Sequence, residues 1–307
     1  MQRVVEKITP EQRELWGRHT VKMRHRMPEM PLFSDDSLAE LIETVPAERM
    51  IMHTMEDDLS TWKSVERGGV PGHRVLEAIR AGRIWINMVG IQDYDPRFAE
   101  LMEQIFADWA RDVPEFRTFR RKIGLLISSP NAQVFYHCDP GGQALWQVRG
   151  RKRIRLYPPT DPFLKPAELE NVIRSVTGEE ITYHAWYDDH AEVYDLEPGD
   201  GLHWALNGPH RINNHDELNV SLTSEHYTPQ IRRSWAMNYG NGVLRSLGWT
   251  PRSRACEGAA FWAKVGITAA WRKTMQEKQS YKRVPEFVPD PQAPNGVRPI
   301  EPAAAIS

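Results

Sequence analysis

The sequence predicts a mainly β protein with flanking helices, its core a double-sheet jelly roll, or double-stranded β-helix. Three observations point there. From about Arg120 the chain changes to short alternating strands separated by turns, and about eight such strands fit between Arg120 and Thr223. Before that point, apolar residues at helical spacing are mixed with strand-like runs. After Pro229 the β pattern stops, and Gly258 to Gln279 returns to helical spacing. The expected organisation is a mixed N-terminal region over 1–119 packing on the barrel, the jelly roll over 120–229, a helical region over 230–283 and a disordered proline-rich tail over 284–307.

Composition allows this. The chain has 307 residues, 40% hydrophobic and 26% charged, and eleven tryptophans to help fill a core. A net charge of −2 gives no global reason to expect nucleic acid or an acidic membrane surface as partner. Two cysteines, Cys138 and Cys256, are few, and a chain of this length needs no disulfide staple. No early segment joins basic residues to an uninterrupted apolar run, and no run nears the ~18 apolar residues of a membrane span. A cytoplasmic protein is expected.

Thr9-Pro10-Glu11-Gln12 starts a helix with the elements of a capping box, and the spacing carries it to about Arg24. Ser34 begins a second helix, with Leu38, Leu41, Ile42 and Val45 on one side. Arg49 to Met55 reads as a strand, Arg74 to Ala81 as a helix, and Arg83 to Ile91 as a strand with Ile84, Ile86 and Met88 on one face. Asp95-Pro96 opens the clearest helix, striped by Phe98, Leu101, Met102, Ile105, Phe106 and Trp109. Strands follow around Ile123–Ile127, Val134–Asp139, Leu145–Val148, Lys152–Tyr157, Val193–Leu196, Leu202–Leu206, His210–Ile212 and Leu218–Leu222. Thr160 to Asp189 is a long insertion with little periodicity. After Pro229, Gly240, Gly242 and Gly248 make the pattern irregular. Phe261, Trp262, Val265 and Trp271 anchor the last helix; this helix could pair two chains in a homodimer, or Trp262 and Trp271 could equally be its own core. The tail from Pro285 holds six of the 23 prolines.

The chemistry gathers in Tyr136 to Tyr157, YHCDPGGQALWQVRGRKRIRLY, and in the later PHRINN. His137 and Asp139 are two apart, so in a strand they share a face and Cys138 turns away. His210 could add a third ligand from another strand. Two histidines and a carboxylate on one side of a metal form the facial triad of non-haem Fe(II) oxygenases. A bare His-x-Asp also occurs by chance in surface turns, and His203 with His210 is the fallback pair. Here, however, the pair ends a strand before a glycine turn, at a barrel mouth. Lys152 lies on the apolar face of its strand with Ile154 and Leu156, while Arg151, Arg153 and Arg155 take the other. A buried lysine is costly unless paired, and an anionic cosubstrate such as 2-oxoglutarate would be a partner.

HCD…GRKRIRLYPP and PGDGLHWALNGPH resemble the motifs of the cupin-like JmjC-type Fe(II)/2-oxoglutarate oxygenases. That group includes the asparaginyl hydroxylase that inhibits the hypoxia-inducible factor. The resemblance covers Gly124 to Thr223. It implies Fe(II) held by His137, Asp139 and His210, and 2-oxoglutarate with its far carboxylate on Lys152. O2 would be consumed, and a C–H bond of a protein side chain or small molecule hydroxylated, with succinate and CO2 as coproducts. The family often has a threonine three residues before the first histidine. Val134 stands there, so Tyr136 or Thr223 must supply a hydroxyl or the contact is lost. Asn219 or Ser221 faces the cosubstrate in one register and turns away in the next. Gln143 sits where relatives place a substrate contact. The N-terminal helices and the insertion are expected to shape the substrate mouth. Competing readings are a cupin-fold binding or regulatory protein without catalysis, and a cupin isomerase or dioxygenase without cosubstrate, which leaves Lys152 unexplained.

Overall fold

The computed structural model describes residues 3–55, 62–275 and 284–300. Thr9 caps α1 (Pro10–Leu15) in a reciprocal capping box with Gln12. This helix stops well before Arg24. Val21 and Met23 alternate with Lys22 and Arg24, and that period of two makes β1 (Val21–Arg24) a strand with one buried side. Ser34 caps α2 (Asp35–Thr44). Then come β2 (Met50–Met55), β3 (Trp62–Ser64), α3 (Gly72–Ala81), β4 (Ile84–Val89) and α4 (Pro96–Asp112).

The expected jelly-roll strands follow as β5 (Phe119–Ser128), β6 (Gln133–His137), β7 (Gly142–Arg149) and β8 (Lys152–Leu156). The insertion carries α5 (Pro166–Ile173). After it come β9 (Glu192–Leu196), β10 (Asp200–His203), β11 (His210–Asn214) and β12 (Asn219–Tyr227). One sheet runs β1-β10-β7-β12-β5-β4-β2-β3, and the facing one β6-β11-β8-β9. The N-terminal strands therefore do more than cover the barrel: β4 pairs with β5 and β1 with β10, extending the large sheet at both edges.

Three apolar clusters divide the interior. The largest lies between the convex face of the large sheet and α2, α3 and α4. A second fills the space between the sheets, with Leu126, Leu145, Ile154, Leu156, Leu202 and Ile212 among its members. The third joins the insertion and the C-terminal helices to the outer side of the small sheet.

Three expectations about the C-terminal part need correction. The stretch after Pro229 is not irregular but a long helix, α6 (Pro229–Ser246), capped by Thr228. Its glycines serve close packing. A Cβ at Gly240 would lie 2.7 Å from the Lys264 Cβ, and one at Gly242 2.6 Å from the Arg174 Cδ. α6 packs on α7 (Gly258–Thr274) and on α5. Glu170 of α5 is 1% exposed and is clasped by Arg245 at 2.7 Å and Arg254 at 3.6 Å. Of the expected anchors of α7, Phe261 is buried and Trp271 packs on the third cluster, but Trp262 is 61% exposed; residues 276–279 lie outside the described residues. The tail is not disordered over 284–300. β13 (Phe287–Pro289) and β14 (Val297–Pro299) form a hairpin docked beside β3, where Glu286 N–H donates to Ser64 O and Glu66 N–H to Phe287 O. Val297 enters the large core, so two or three apolar side chains suffice to order a proline-rich segment. Residues 301–307 lie outside the described residues.

A layer of buried imidazoles lies on the convex face. His203 stacks on Trp16 at 4.7 Å and His226 meets Phe116 edge-on at 4.8 Å. His203 Nε2 and both nitrogens of His226 lack hydrogen-bond partners among the described residues. Burial pushes His25 and His203 down to about 4, and holds His226 well below its ordinary value. The unfolded chain, with histidines near ~6.5, takes up these protons first, so stability falls as pH drops from there toward 4. The expected loss by pH 5 is about 2 kcal/mol per histidine. Urea unfolding at pH 7 and pH 5 should show it, with a smaller pH difference in H226F, whose ring would rest among Phe106, Trp109 and Phe116.

Candidate metal centre

β6 and β11 are antiparallel neighbours with His137 and His210 as Cα partners. Their rings lie 4.1 Å apart between centroids. β6 ends at His137, and Asp139 follows just beyond, its carbonyl held by the Asn207 side-chain amide at 2.6 Å. Asn207 has a φ of 58°, in the left-handed region that asparagine tolerates, and begins the Asn207-Gly208-Pro209 turn into His210. His210 Nε2 is 3.6 Å from an Asp139 oxygen. One potential ligand atom from each of His137, Asp139 and His210 lies within 4.8 Å of the other two.

The main chain sets the tautomers. His137 Nδ1 lies 2.8 Å from Phe135 O, and His210 Nδ1 3.0 Å from Gly208 O. A carbonyl can only accept, so each Nδ1 carries the hydrogen and each Nε2 keeps its lone pair. Burial depresses both imidazoles and pushes the Asp139 carboxyl up to about 7. A divalent cation would reverse that preference. Two imidazoles and one carboxylate on one side suit such an ion.

Lys152 is 2% exposed on the barrel side of β8, beside Ile154 and Leu156. Arg153 and Arg155 face outward, to Asp195 and Asn213. No hydrogen bond or ion pair joins the Lys152 ammonium to a described residue, and burial alone lowers it to about 7. An unpaired cation in an apolar wall fits an anionic ligand.

The remaining candidates separate. Thr223, Ser221 and Asn219 share the concave face of β12, opposite Gly124, Leu126 and Ser128 of β5. Ser221 and Asn219 are engaged, however: Ser221 Oγ donates to Gln147 Oε1, and Gln147 Nε2 to Asn219 Oδ1. Gln143 pairs across from Glu225, which holds Lys122 at 2.6 Å. Tyr136 is a correction. It points out of the barrel into the insertion, donating to Phe163 O at 2.8 Å, because it alternates with the metal-facing His137. Cys138 is buried on the same outer side. His203 is not a fallback ligand, since it faces Trp16 on the convex side. The N-terminal helices lie on that side too, whereas the insertion does flank the triad: Cys138 N–H donates to Glu179 O and Ile181 N–H to Tyr136 O. Sequence reasoning missed Asn207, visible only as a turn residue.

No protein-family profile matches the chain, and no curated protein does. Solved structures do. An X-ray structure of E. coli YcfD aligns with a TM-score of 0.53 at 16% identity, over 89% of this chain and 70% of that one. Escherichia coli YcfD described as a ribosomal oxygenase in complex with cobalt and 2-oxoglutarate aligns at 0.51 and 14% identity, over 92% and 74%. A further structure of the same ribosomal oxygenase aligns at 0.52 and 16%, over 94% and 75%. At such identities the likeness establishes the fold. The chain shares the jelly-roll architecture of YcfD, as the strand count leads one to expect.

Removing the buried ammonium should stabilise the protein by itself. K152M, of similar length, is expected to raise the urea midpoint, by about 1–4 kcal/mol of stability.

Proposed function

We propose that this chain is an Fe(II)- and 2-oxoglutarate-dependent oxygenase that hydroxylates a C–H bond, with succinate and CO2 as coproducts. One observation carries the reading: a His-Asp-His cluster whose two Nδ1 atoms are turned to main-chain carbonyls shares its barrel with a buried ammonium that has no partner among the described residues. The first suits a divalent cation and the second a carboxylate, the two chemistries that an iron–oxoacid pair presents. The fold shared with YcfD, whose structure holds cobalt and 2-oxoglutarate, supports it.

In this reading His137, Asp139 and His210 would hold iron on one face, leaving the opposite positions for cosubstrate and O2. Lys152 would hold the far carboxylate by a charge-assisted bond. Bound together, the metal and 2-oxoglutarate supply the oxidising power; the protein supplies position and dryness. The Phe135 and Gly208 carbonyls fix the imidazoles, so the metal-facing geometry is set before any ligand arrives. Leu126, Leu145, Ile154 and Leu202 keep water from the barrel interior. Gln143 would touch substrate at the rim, beside Glu225.

The description of YcfD as a ribosomal oxygenase favours a polypeptide side chain over a small molecule as substrate. No helix among the described residues is long and apolar enough to cross a membrane, and we place the reaction in the cytoplasm. A homodimer through α7 completes the reading, supported by the exposed Trp262.

The test is product formation. With Fe(II), a reductant, 2-oxoglutarate and air, the wild-type protein should release succinate, and D139A should lose more than about a hundredfold of that rate. A wild-type protein that neither forms succinate nor binds 2-oxoglutarate would leave the jelly roll as a binding module of another kind.

A further inference from the structure

The cosubstrate site of the proposed oxygenase, a reading on which this inference rests, has a chemical gap. A carboxylate offers two oxygens with about four acceptor positions, and one ammonium does not satisfy them in a dry barrel. The small sheet gives Lys152 no help. Val134, Ile154 and Ile212 are apolar, and the Asn214 amide already donates to Ser128 Oγ at 2.8 Å and Ser129 O at 2.9 Å.

The facing sheet has what is missing. On its concave face Asn87 pairs across from Leu126, and Gly124 lies between Val89 and Thr223. Asn87 Oδ1 is buried with no hydrogen-bond partner among the described residues. Thr223 Oγ1 has one long contact, 3.4 Å to Gly124 O. A Cβ placed on Gly124 would lie 2.8 Å from Thr223 Oγ1 and 3.4 Å from Asn87 Oδ1. Both polar atoms therefore border one notch, which only glycine at 124 keeps open. Buried polar groups without partners are rare in native folds, and here two under-used ones meet at one point. The neighbouring Ser221 and Asn219 are saturated through Gln147.

We infer that Asn87 and Thr223, flanking the notch at Gly124, form a second anchor for the distal carboxylate of 2-oxoglutarate, gripping it from the large sheet while Lys152 meets it from the small one. The threonine hydroxyl donates directly. The asparagine amide donates through its nitrogen after a half-turn about its last bond, which exchanges nitrogen and oxygen in nearly the same volume. This anchor replaces the hydroxyl that Val134 cannot offer.

The test is calorimetric binding of two ligands to the full-length protein loaded with Mn(II) in place of Fe(II). One is 2-oxoglutarate. The other is oxalate, which can chelate the metal but has no distal carboxylate. N87A and T223V should bind 2-oxoglutarate about ten- to a hundredfold more weakly, T223S should stay near wild type, and oxalate affinity should be unchanged throughout. G124A, which fills the notch, should resemble N87A. Cooperative melting checks that each variant is folded, and N87S replaces N87A if that one does not melt cooperatively. Unchanged 2-oxoglutarate affinity in folded N87A and T223V, or an equal loss for oxalate, would overturn the anchor while leaving the oxygenase reading in place. A wild-type protein that binds oxalate but not 2-oxoglutarate would overturn the cosubstrate reading, and the anchor with it.

Discussion

The candidate metal centre depends on one register, the pairing of β6 with β11 that sets His137 against His210. A slip of one residue would turn His210 to the outer side of the sheet and bring Arg211 toward the barrel. Both faces of β11 resist that slip. Ile212 is committed to the apolar interior, while Arg211 is committed to the outside, where it pairs with Asp188 and donates to the Tyr157 hydroxyl at 3.0 Å. β8 closes the other edge of β11 in continuous register from Leu156 to Lys152. The same ladder therefore fixes both the metal-ligand end and the ammonium end of the barrel.

The electrostatics of that interior are complementary to its proposed contents. Burial draws Lys152 down to about 7 and lifts Asp139 to about 7, so by themselves both groups are driven toward neutrality. A cation restores the carboxylate and a dicarboxylate restores the ammonium. Each group would regain its charge beside a counter-ion of its own.

Much of this was legible in the sequence because it rests on short-range periodicity. Strand alternation put Lys152 on the apolar face and Cys138 opposite the ligands, and the turn residues marked where strands end. What stayed hidden depends on contacts distant in sequence. The glycines of α6 look like helix breakers until α7 and Arg174 are seen pressed against them. The β1 strand is too short to be told from a frayed helix end without its partner β10. The proline-rich tail has few apolar residues, and only the position of Val297 in the core shows that they are enough. Asn87 has no motif around it; its meaning comes from Gly124 and Thr223, far along the chain.

The insertion between β8 and β9 also bears on where the folding unit that carries the His-Asp-His cluster ends. Its Glu179 and Ile181 are hydrogen-bonded to the backbone at Cys138 and Tyr136, beside the ligand strand, while its α5 is bound through Glu170 to Arg245 and through Arg174 to the Gly242 carbonyl of α6. A jelly roll excised after residue 229 would strand a buried carboxylate and free the segment that braces the ligand strand. The smallest fragment able to keep the His-Asp-His cluster in shape extends through the C-terminal helices.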